Sequence, residues 1–479
     1  GCPFDKVKYE ALLEGLEIAE TKLSNITNVI DYRIEAEYFS SKFLLNDKKL
    51  ATIKTHPFME VATFINGRPY ASESFNYYTT GVRIAKIGDV TNKRDIDSWE
   101  FIDIDEFNYQ KGQLLTSGDI LMTLTGDPPD IGKVNYIDDP INASWNQRVA
   151  RVRLIPEQKY YIGNDVLYII LSTEIVRIQL ERYAKGIRQR NLGNESLDRL
   201  LLPDLSYELQ LSMQNCVKQI YLNYNHSKCL YTEATNILLD NLKIKDCNLA
   251  DSSPSIKSVK DSFVTSGRLD AEYYQPKYDD LFSRLSKFES KRLGDMVQIH
   301  KSIEPGSEAY QNKGIPFMRV SNLSKFGFSD TEIHLSPDEY GDVIRPKQNT
   351  ILLSKDGSVG IAYKVEQDMN VITSGAILHL TITDNEFMPD YLTLVLNSVI
   401  VGMQAERDAG GSIIQHWKPS EIENVIIPKL SKEIQQEITN KVKESFALRR
   451  ESKRLLNLAK TAVEIAIEQG ESAAMELLN

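Results

Sequence analysis

The chain spells nearly the same thing twice. Arg33-Ile34-Glu35-Ala36-Glu37-Tyr38-Phe39 returns as Arg268-Leu269-Asp270-Ala271-Glu272-Tyr273-Tyr274, and the echo runs on for about two hundred residues. Gly81-Val82-Arg83-Ile84-Ala85-Lys86-Ile87 aligns with Gly314-Ile315-Pro316-Phe317-Met318-Arg319-Val320. Leu202-Pro203-Asp204-Leu205 through Gln210 aligns with Ile427-Pro428-Lys429-Leu430 through Gln435. The offset drifts from 268 − 33 = 235 to 428 − 203 = 225, so loops differ in length while the order of landmarks is kept. Two similar units in one chain can build a pseudo-twofold object, a form suited to a ligand with near-twofold symmetry such as duplex DNA.

A chain of 479 residues has room for two to four domains, each with its own core. No run of 18 or more apolar residues is present, which excludes a membrane-spanning helix. Gly1-Cys2-Pro3-Phe4-Asp5-Lys6 has neither the basic start nor the apolar stretch of a secretory signal. Cys2, Cys216, Cys229 and Cys247 form no CxxC pair and no metal-ligand spacing with the histidines, so free thiols in a reducing cytoplasm and no metal site are expected. The net charge of −11 disfavours non-specific binding to phosphate, yet a global sum hides patches such as Lys185-Gly186-Ile187-Arg188-Gln189-Arg190.

Periodicity divides the chain further. Over residues 7–30, Leu12, Leu16, Ala19, Leu23, Ile26 and Ile30 alternate steps of four and three, the pattern of a heptad helix, here assigned to residues 1–32. Residues 33–203 read as a strand-rich head with a helix at 164–184, and residues 204–243 as a long spacer helix. That helix carries Leu209, Met213, Val217, Ile220, Tyr224, Leu230, Ala234, Ile237 and Leu242 on one seam. A polar linker over 244–267 precedes a second head at 268–428 and a second long helix at 429–479, with Ile434, Ile438, Val442, Phe446, Leu455, Ala459, Val463 and Ala466 on its seam. The fold class expected is α+β: two strand-rich heads joined and spaced by long antiparallel coiled-coil helices. Seams of that length want a partner, and the nearest is the helix of the other copy.

Asp127-Pro128-Pro129-Asp130 has the look of a base-holding methyltransferase loop, but Asp130 cannot stack on a base and no glycine-rich cofactor loop lies upstream. A turn is the better reading. Gly132, Gly186, Gly360 and Gly411 likewise read as tight turns needing positive φ. Glu35 with Glu37, and Asp270 with Glu272, sit in an Arg-containing frame suited to holding local structure. No nucleophile, base and orienter fall at a credible spacing, so no catalytic residue is assigned.

Contact chemistry is more visible. Asn66, Arg68 and Tyr70; Lys86; Trp145, Asn146, Gln147 and Arg148; and Arg188, Gln189, Arg190 and Asn191 include the side chains that bind purine edges bidentately. In the second copy the corresponding clusters are Arg319, Ser321 and Asn322; Lys355 and Ser358; and Gln415, His416, Trp417 and Lys418. For each cluster a solvated loop competes with a base reader, and for Arg151 and Arg153 on one strand a solvent face is the preferred account. Equal frames with unequal loops would read two different sequences.

The head-helix-head-helix order resembles the DNA specificity subunit of type I restriction-modification systems. The resemblance rests on Gly118-Asp119-Ile120-Leu121-Met122-Thr123 leading to Ile131-Gly132-Lys133-Val134, on Gly186 to Gln210, and on Gly411-Ser412-Ile413-Ile414-Gln415 to Gln435. It implies a non-catalytic cytoplasmic subunit in which each head, a target-recognition domain, reads one half of a split, asymmetric site in double-stranded DNA. It implies two adenine-specific DNA methyltransferase subunits as partners, with S-adenosylmethionine held by them and no cofactor in this chain, and admits an ATP-dependent restriction nuclease subunit. The 7–30 helix departs from the repeat. Two other readings stay open: a coiled-coil scaffold that recruits proteins, and a self-sufficient methyltransferase, for which the cofactor loop is missing.

Overall fold

The computed structural model describes residues 5, 8–9, 22, 35–76, 80–92, 96–128, 130–140, 142–186, 189–244, 256–410 and 415–478. The helix expected at 7–30 lies almost wholly outside them, as do Gly411 and residues 245–255 of the polar linker expected at 244–267. The chain divides into two compact units, Gly1–Asn223 with Glu451–Asn479, and Tyr224–Arg450.

In the first unit, strands Ala62–Asn66, Val149–Leu154, Asp119–Thr123 and Val134–Ile137 lie side by side in that order, all antiparallel. Ala150 and Val152 are fully buried on one face, while Val149, also fully buried, Arg151 and Arg153 alternate with them on the other. That face is not bare solvent. Arg153 pairs with Asp119, which is fully buried, and the Arg151 guanidinium lies 4.9 Å from the centre of the Trp145 ring. A smaller sheet sets Phe75–Asn76, Phe101–Ile102, Val82–Ala85 and Ala143–Trp145 in order, the last pair parallel.

The helix expected at 164–184 is two helices, Asn164–Leu171 and Glu174–Tyr183. Ser172 Oγ donates to the Tyr168 carbonyl at 2.7 Å and Thr173 Oγ1 to that of Ile170 at 2.7 Å. Thr173 itself is extended and opens the next helix. Short hydroxyl side chains that bond their own backbone compete with helix continuation, and two in succession end it here.

The second unit repeats the four-stranded order with Val297–Lys301, Ile377–Ile382, Ile351–Ser354 and Ala362–Lys364, again antiparallel, followed by helices Pro389–Leu396 and Val399–Asp408. Several buried bonds match one for one. Tyr161 Oη donates to the Pro203 carbonyl at 2.6 Å, and Tyr391 Oη to that of Pro428 at 2.7 Å. Gln179 holds the backbone N–H and C=O of Leu201, and Gln404 holds those of Ile426.

The buried amide of Gln210 donates to the carbonyls of Tyr160 and Leu205, both at 2.8 Å, and accepts from Ile162 N at 3.0 Å. Gln435 does the same with Glu386, Leu430 and Met388, at 3.0, 2.9 and 2.9 Å. Buried polar groups persist where their donors and acceptors are satisfied. The Leu-Pro and Gln landmarks of the sequence are the parts that tie the first turn of each long helix to its head.

The long helices run over Tyr207–Asn241 and Lys432–Gln469. Within the first unit, Leu209, Met213 and Val217 join Ala459, Val463 and Ala466 in the core, and Ser452 Oγ donates to the Ile220 carbonyl at 2.9 Å. Within the second, Ala234, Leu238 and Leu242 join Ile438, Val442 and Phe446. There Ser227 bonds Ser445 at 2.9 Å, and Glu233 pairs with Lys441 at 2.6 Å, so the two segments run antiparallel. Leu238 rather than Ile237 takes the fully buried position. A strict heptad count drifts against the 3.6-residue turn and loses the seam by one residue.

Among the described residues no helix is long and apolar enough to cross a membrane, and no group of three or more His, Cys, Asp or Glu is placed to hold a metal ion. Cys216 and Cys229 are free thiols. Gly132, Gly186 and Gly360 have φ of +73°, +131° and +86°, the left-handed side that a turn glycine adopts without cost. Asp130 N donates to the Asp127 carbonyl at 2.8 Å, closing the turn expected there, with Pro129 outside the described residues.

Candidate nucleic-acid interface

Main-chain contacts bring the four polar clusters of the first head together. Arg68 forms a parallel bridge with Asn146, and Gln147 N donates to the Arg68 carbonyl at 3.0 Å. Asn146 N in turn donates to Ala85 O at 3.0 Å, which places Lys86 beside them. Leu124 N donates to Arg148 O at 2.9 Å, and Leu192 N to Leu124 O at 2.8 Å, which brings in the Arg190–Asn191 strand with Gln189 just before it. Gly67 makes the first junction possible, because a Cβ there would stand 2.2 Å from the Trp145 carbonyl oxygen and 2.3 Å from that of Asn146.

The side chains at this edge divide into committed and uncommitted groups. Asn66, Arg68, Gln147, Arg148 and Gln189 are exposed. The Arg68 guanidinium touches only a carbonyl among the bonds described, that of Lys111 at 3.3 Å. Lys86 is tied to Glu100 and lies 3.5 Å from the Phe75 ring centre, so its ammonium serves the head itself. Tyr70 is half-buried against Phe75. Asn146 accepts from Arg148 N at 3.0 Å, Arg190 pairs with Glu37 at 3.2 Å, and Asn191 accepts from Thr125 at 2.9 Å. Arg188 lies outside the described residues.

Trp145 is corrected: it is 2 % exposed, with Nε1 donating to the Ile65 carbonyl at 3.0 Å. Its ring belongs to the core and cannot stack on a base. Trp417 is corrected for the same reason, at 1 % exposed. Each tryptophan lies on a strand-like segment whose alternation turns the ring inward while its polar neighbours face out.

The second head assembles its loops through equivalent contacts. Ile303 bridges Ser374 in parallel, Ser374 N donates to Met318 O at 2.8 Å, Lys355 N to Ala376 O at 2.9 Å, and Trp417 N to Lys355 O at 2.8 Å. Arg319 stands where Lys86 stands in the first head. Its N–H donates to Asn322 Oδ1 at 3.0 Å, as Lys86 N donates to Asp89 Oδ2 at 2.9 Å. Asn322 is spent on this turn and on the Asp330 carbonyl at 3.2 Å. The edge opens into a cleft of about 280 Å³ lined by Glu304, Tyr310, Arg319, Ser321, Asp356 and Gly357 among others.

Asp356 is the electrostatic hub of this edge. It pairs with Lys355 and with His416 Nδ1, the latter at 2.9 Å. Burial pushes its carboxyl up, but the hydrogen bonds from Lys355 and His416 outweigh it and hold the group below the usual carboxylate range. The Lys355 charge is therefore neutralised within the head. Gln415, Lys418 and Ser358 are exposed, and Lys418 lies near Glu421 at 3.5 Å. Sequence reasoning missed Glu304, Tyr310 and Ser374. The Ile303–Ser374 bridge joins segments about seventy residues apart, and only the Arg68–Asn146 counterpart would have pointed to it.

The match to a known family falls on this second head. Residues 286–456 fit the model of the type I restriction modification DNA specificity domain. The chain carries a type I restriction-modification specificity domain. The specificity domain takes in the four-stranded sheet, the cleft and the first part of the Lys432–Gln469 helix. No curated protein matches the chain. Among solved structures, a type I restriction-modification S subunit from M. genitalium is similar over 89 % of this chain and 95 % of its own, at 13 % identity and a TM-score of 0.34. An HsdS subunit from Thermoanaerobacter tengcongensis is similar over 87 % and 97 %, at 14 % identity and a TM-score of 0.27.

Proposed function

We propose that the chain is the sequence-specific DNA-recognition subunit of a type I-like restriction-modification complex. Each head reads one half of a bipartite, asymmetric site in double-stranded DNA. The observation that carries this reading is the gathering of exposed polar loops onto one edge of the specificity domain, around an open cleft, on a frame whose sheet order and buried bonds recur in the first unit. Base edges are read by such exposed, hydrogen-bonding side chains, and phosphates fix the register.

The long helices act as the spacer that sets the gap between half-sites. Catalysis belongs to partners: two adenine-specific DNA methyltransferase subunits holding S-adenosylmethionine, joined in a restricting system by an ATP-dependent nuclease subunit, all in the cytoplasm. In this reading the candidate contacts of the first head are Asn66, Arg68, Gln147, Arg148 and Gln189, and those of the second are Arg319, Ser321, Gln415 and Lys418.

The test is a map of methylated adenines in cells expressing this chain with its methyltransferase partners, with the intact chain and with residues 268–479 removed. A split asymmetric motif from the intact chain, lost or halved on truncation, is the expected result. No new methylation from an intact, assembled complex would refute the reading and favour a scaffold.

A further inference from the structure

Of the charged groups at the cleft of the second head, Asp356 and Lys355 are spoken for by each other, with His416 bonded to Asp356. Two are not. Among the described residues none forms an ion pair with the Arg319 guanidinium or with the Glu304 carboxylate, and both are exposed at the cleft wall. Among its described residues the first head has no equivalent pair. There the Arg319 position is Lys86, held by Glu100, and the counterpart of the Ile303–Ser374 bridge is formed by Arg68 with Asn146.

An acidic residue is an odd feature in a surface that meets phosphates, because it repels them. It becomes useful against an exocyclic amine. In the major groove guanine offers two acceptors, O6 and N7, matched by an arginine fork, and cytosine offers an N4 amine, matched by a carboxylate. We propose that Arg319 and Glu304 together read one G·C base pair in the half-site of the second head, Arg319 on guanine and Glu304 on cytosine.

The backbone beside Glu304 is set in place. A Cβ built on Gly375 would stand 2.9 Å from Lys301 Cε and 3.0 Å from Glu304 Oε1, so the glycine leaves room for both side chains. The adjoining Ile303–Ser374 bridge and the Gly375 N to Ile303 O bond at 2.7 Å fix the backbone there. Tyr310 and Phe317 close the apolar side of the cleft, their ring centres 5.7 Å apart.

The proposal rests on the recognition reading above, and the experiment separates the two. The full chain, as Glu304→Gln, Glu304→Ala and Arg319→Ala, is expressed with its methyltransferase partners and methylated adenines are mapped. The expected result is a wild-type motif with a G·C pair in the second half, at which all three variants lose discrimination by roughly 10-fold to 100-fold. The first half stays unchanged.

A merely structural role would lower methylation at every position alike, and that outcome overturns the pair. So does a second half whose bases are read unchanged in all three variants, or one that lacks a G·C pair. A wild-type chain that directs no split-site methylation overturns the recognition reading and this proposal with it. Glu304→Gln keeps shape at an exposed position, so the test survives if Arg319→Ala fails to fold, which circular dichroism reports.

Discussion

Removing one charge from the Lys364 pair should cost far more than removing both. Lys364 Nζ lies 2.7 Å from Asp390 Oδ1 and 2.9 Å from Glu366 Oε1, and the Lys364 and Asp390 side chains are 8 % and 7 % exposed. Tyr231, Val442 and Phe446 from the long helices close over the pair, leaving a void of about 10 Å³, at the limit for a single water. An orphaned charge here has no room to be rehydrated.

Breaking a buried pair costs about 3–5 kcal/mol, whereas replacing both partners is often close to neutral. Asp390→Asn leaves Lys364 with Glu366, itself shared with Arg450 at 2.8 Å, so the expected loss is at the low end, about 3 kcal/mol. Lys364→Met strands Asp390 with no cation and should cost about 4 kcal/mol. The double variant should lie within about 1 kcal/mol of wild type. Hydrogen exchange measured on peptides spanning Ala362–Lys364 and Pro389–Leu396 reads local opening directly. A loss of 3 kcal/mol appears there as roughly 150-fold weaker protection. Losses that simply add in the double variant would refute the argument that desolvated charge, rather than packing, sets the cost.

Three further outcomes follow from particular residues. His379, 1 % exposed and bonded to Thr373 Oγ1 at 2.8 Å, has its pKa pushed down by burial and by His300 to about 4. The unfolded chain takes up the proton near pH 6.5 and the folded one does not, so stability is full above 6.5 and falls by about 3 kcal/mol towards pH 4. His379→Leu should flatten urea midpoints of the second unit across that window, and an unaltered slope would refute it. Gly67→Ala drives a methyl into two backbone carbonyls and should cost more than the roughly 1–3 kcal/mol of ordinary overpacking. Its methylation map should lose the first half-site alone, and retention of both halves would count against the Arg68–Asn146 junction. Four residues inserted after Lys228 and four after Glu444, beside the bonded Ser227 and Ser445, lengthen both helices by roughly 6 Å. The tolerated gap should grow by about two base pairs, and an unchanged gap removes the helices from the spacer role.

What could be read from the sequence was whatever repeats at short range. The long helices, the Asp119–Thr123 and Val149–Leu154 strands and the landmark glutamines follow from local periodicity and from the echo between copies. The break at Ser172-Thr173 was missed because its cause is side-chain bonding to the preceding turn, which leaves no mark on hydrophobic spacing. Trp145 and Trp417 were misread because composition names a residue without saying which face it takes. Glu304 and Ser374 lie on separate strand ends, and only the folded sheet makes them neighbours in one cleft.

Gln210 and Gln435 fasten each long helix to its head entirely through main-chain groups of the residues they hold. A carbonyl or an amide is the same whatever side chain the residue bears. These bonds are therefore indifferent to the side chains of the residues they hold, and substitutions at those positions can accumulate without unfastening the helix there.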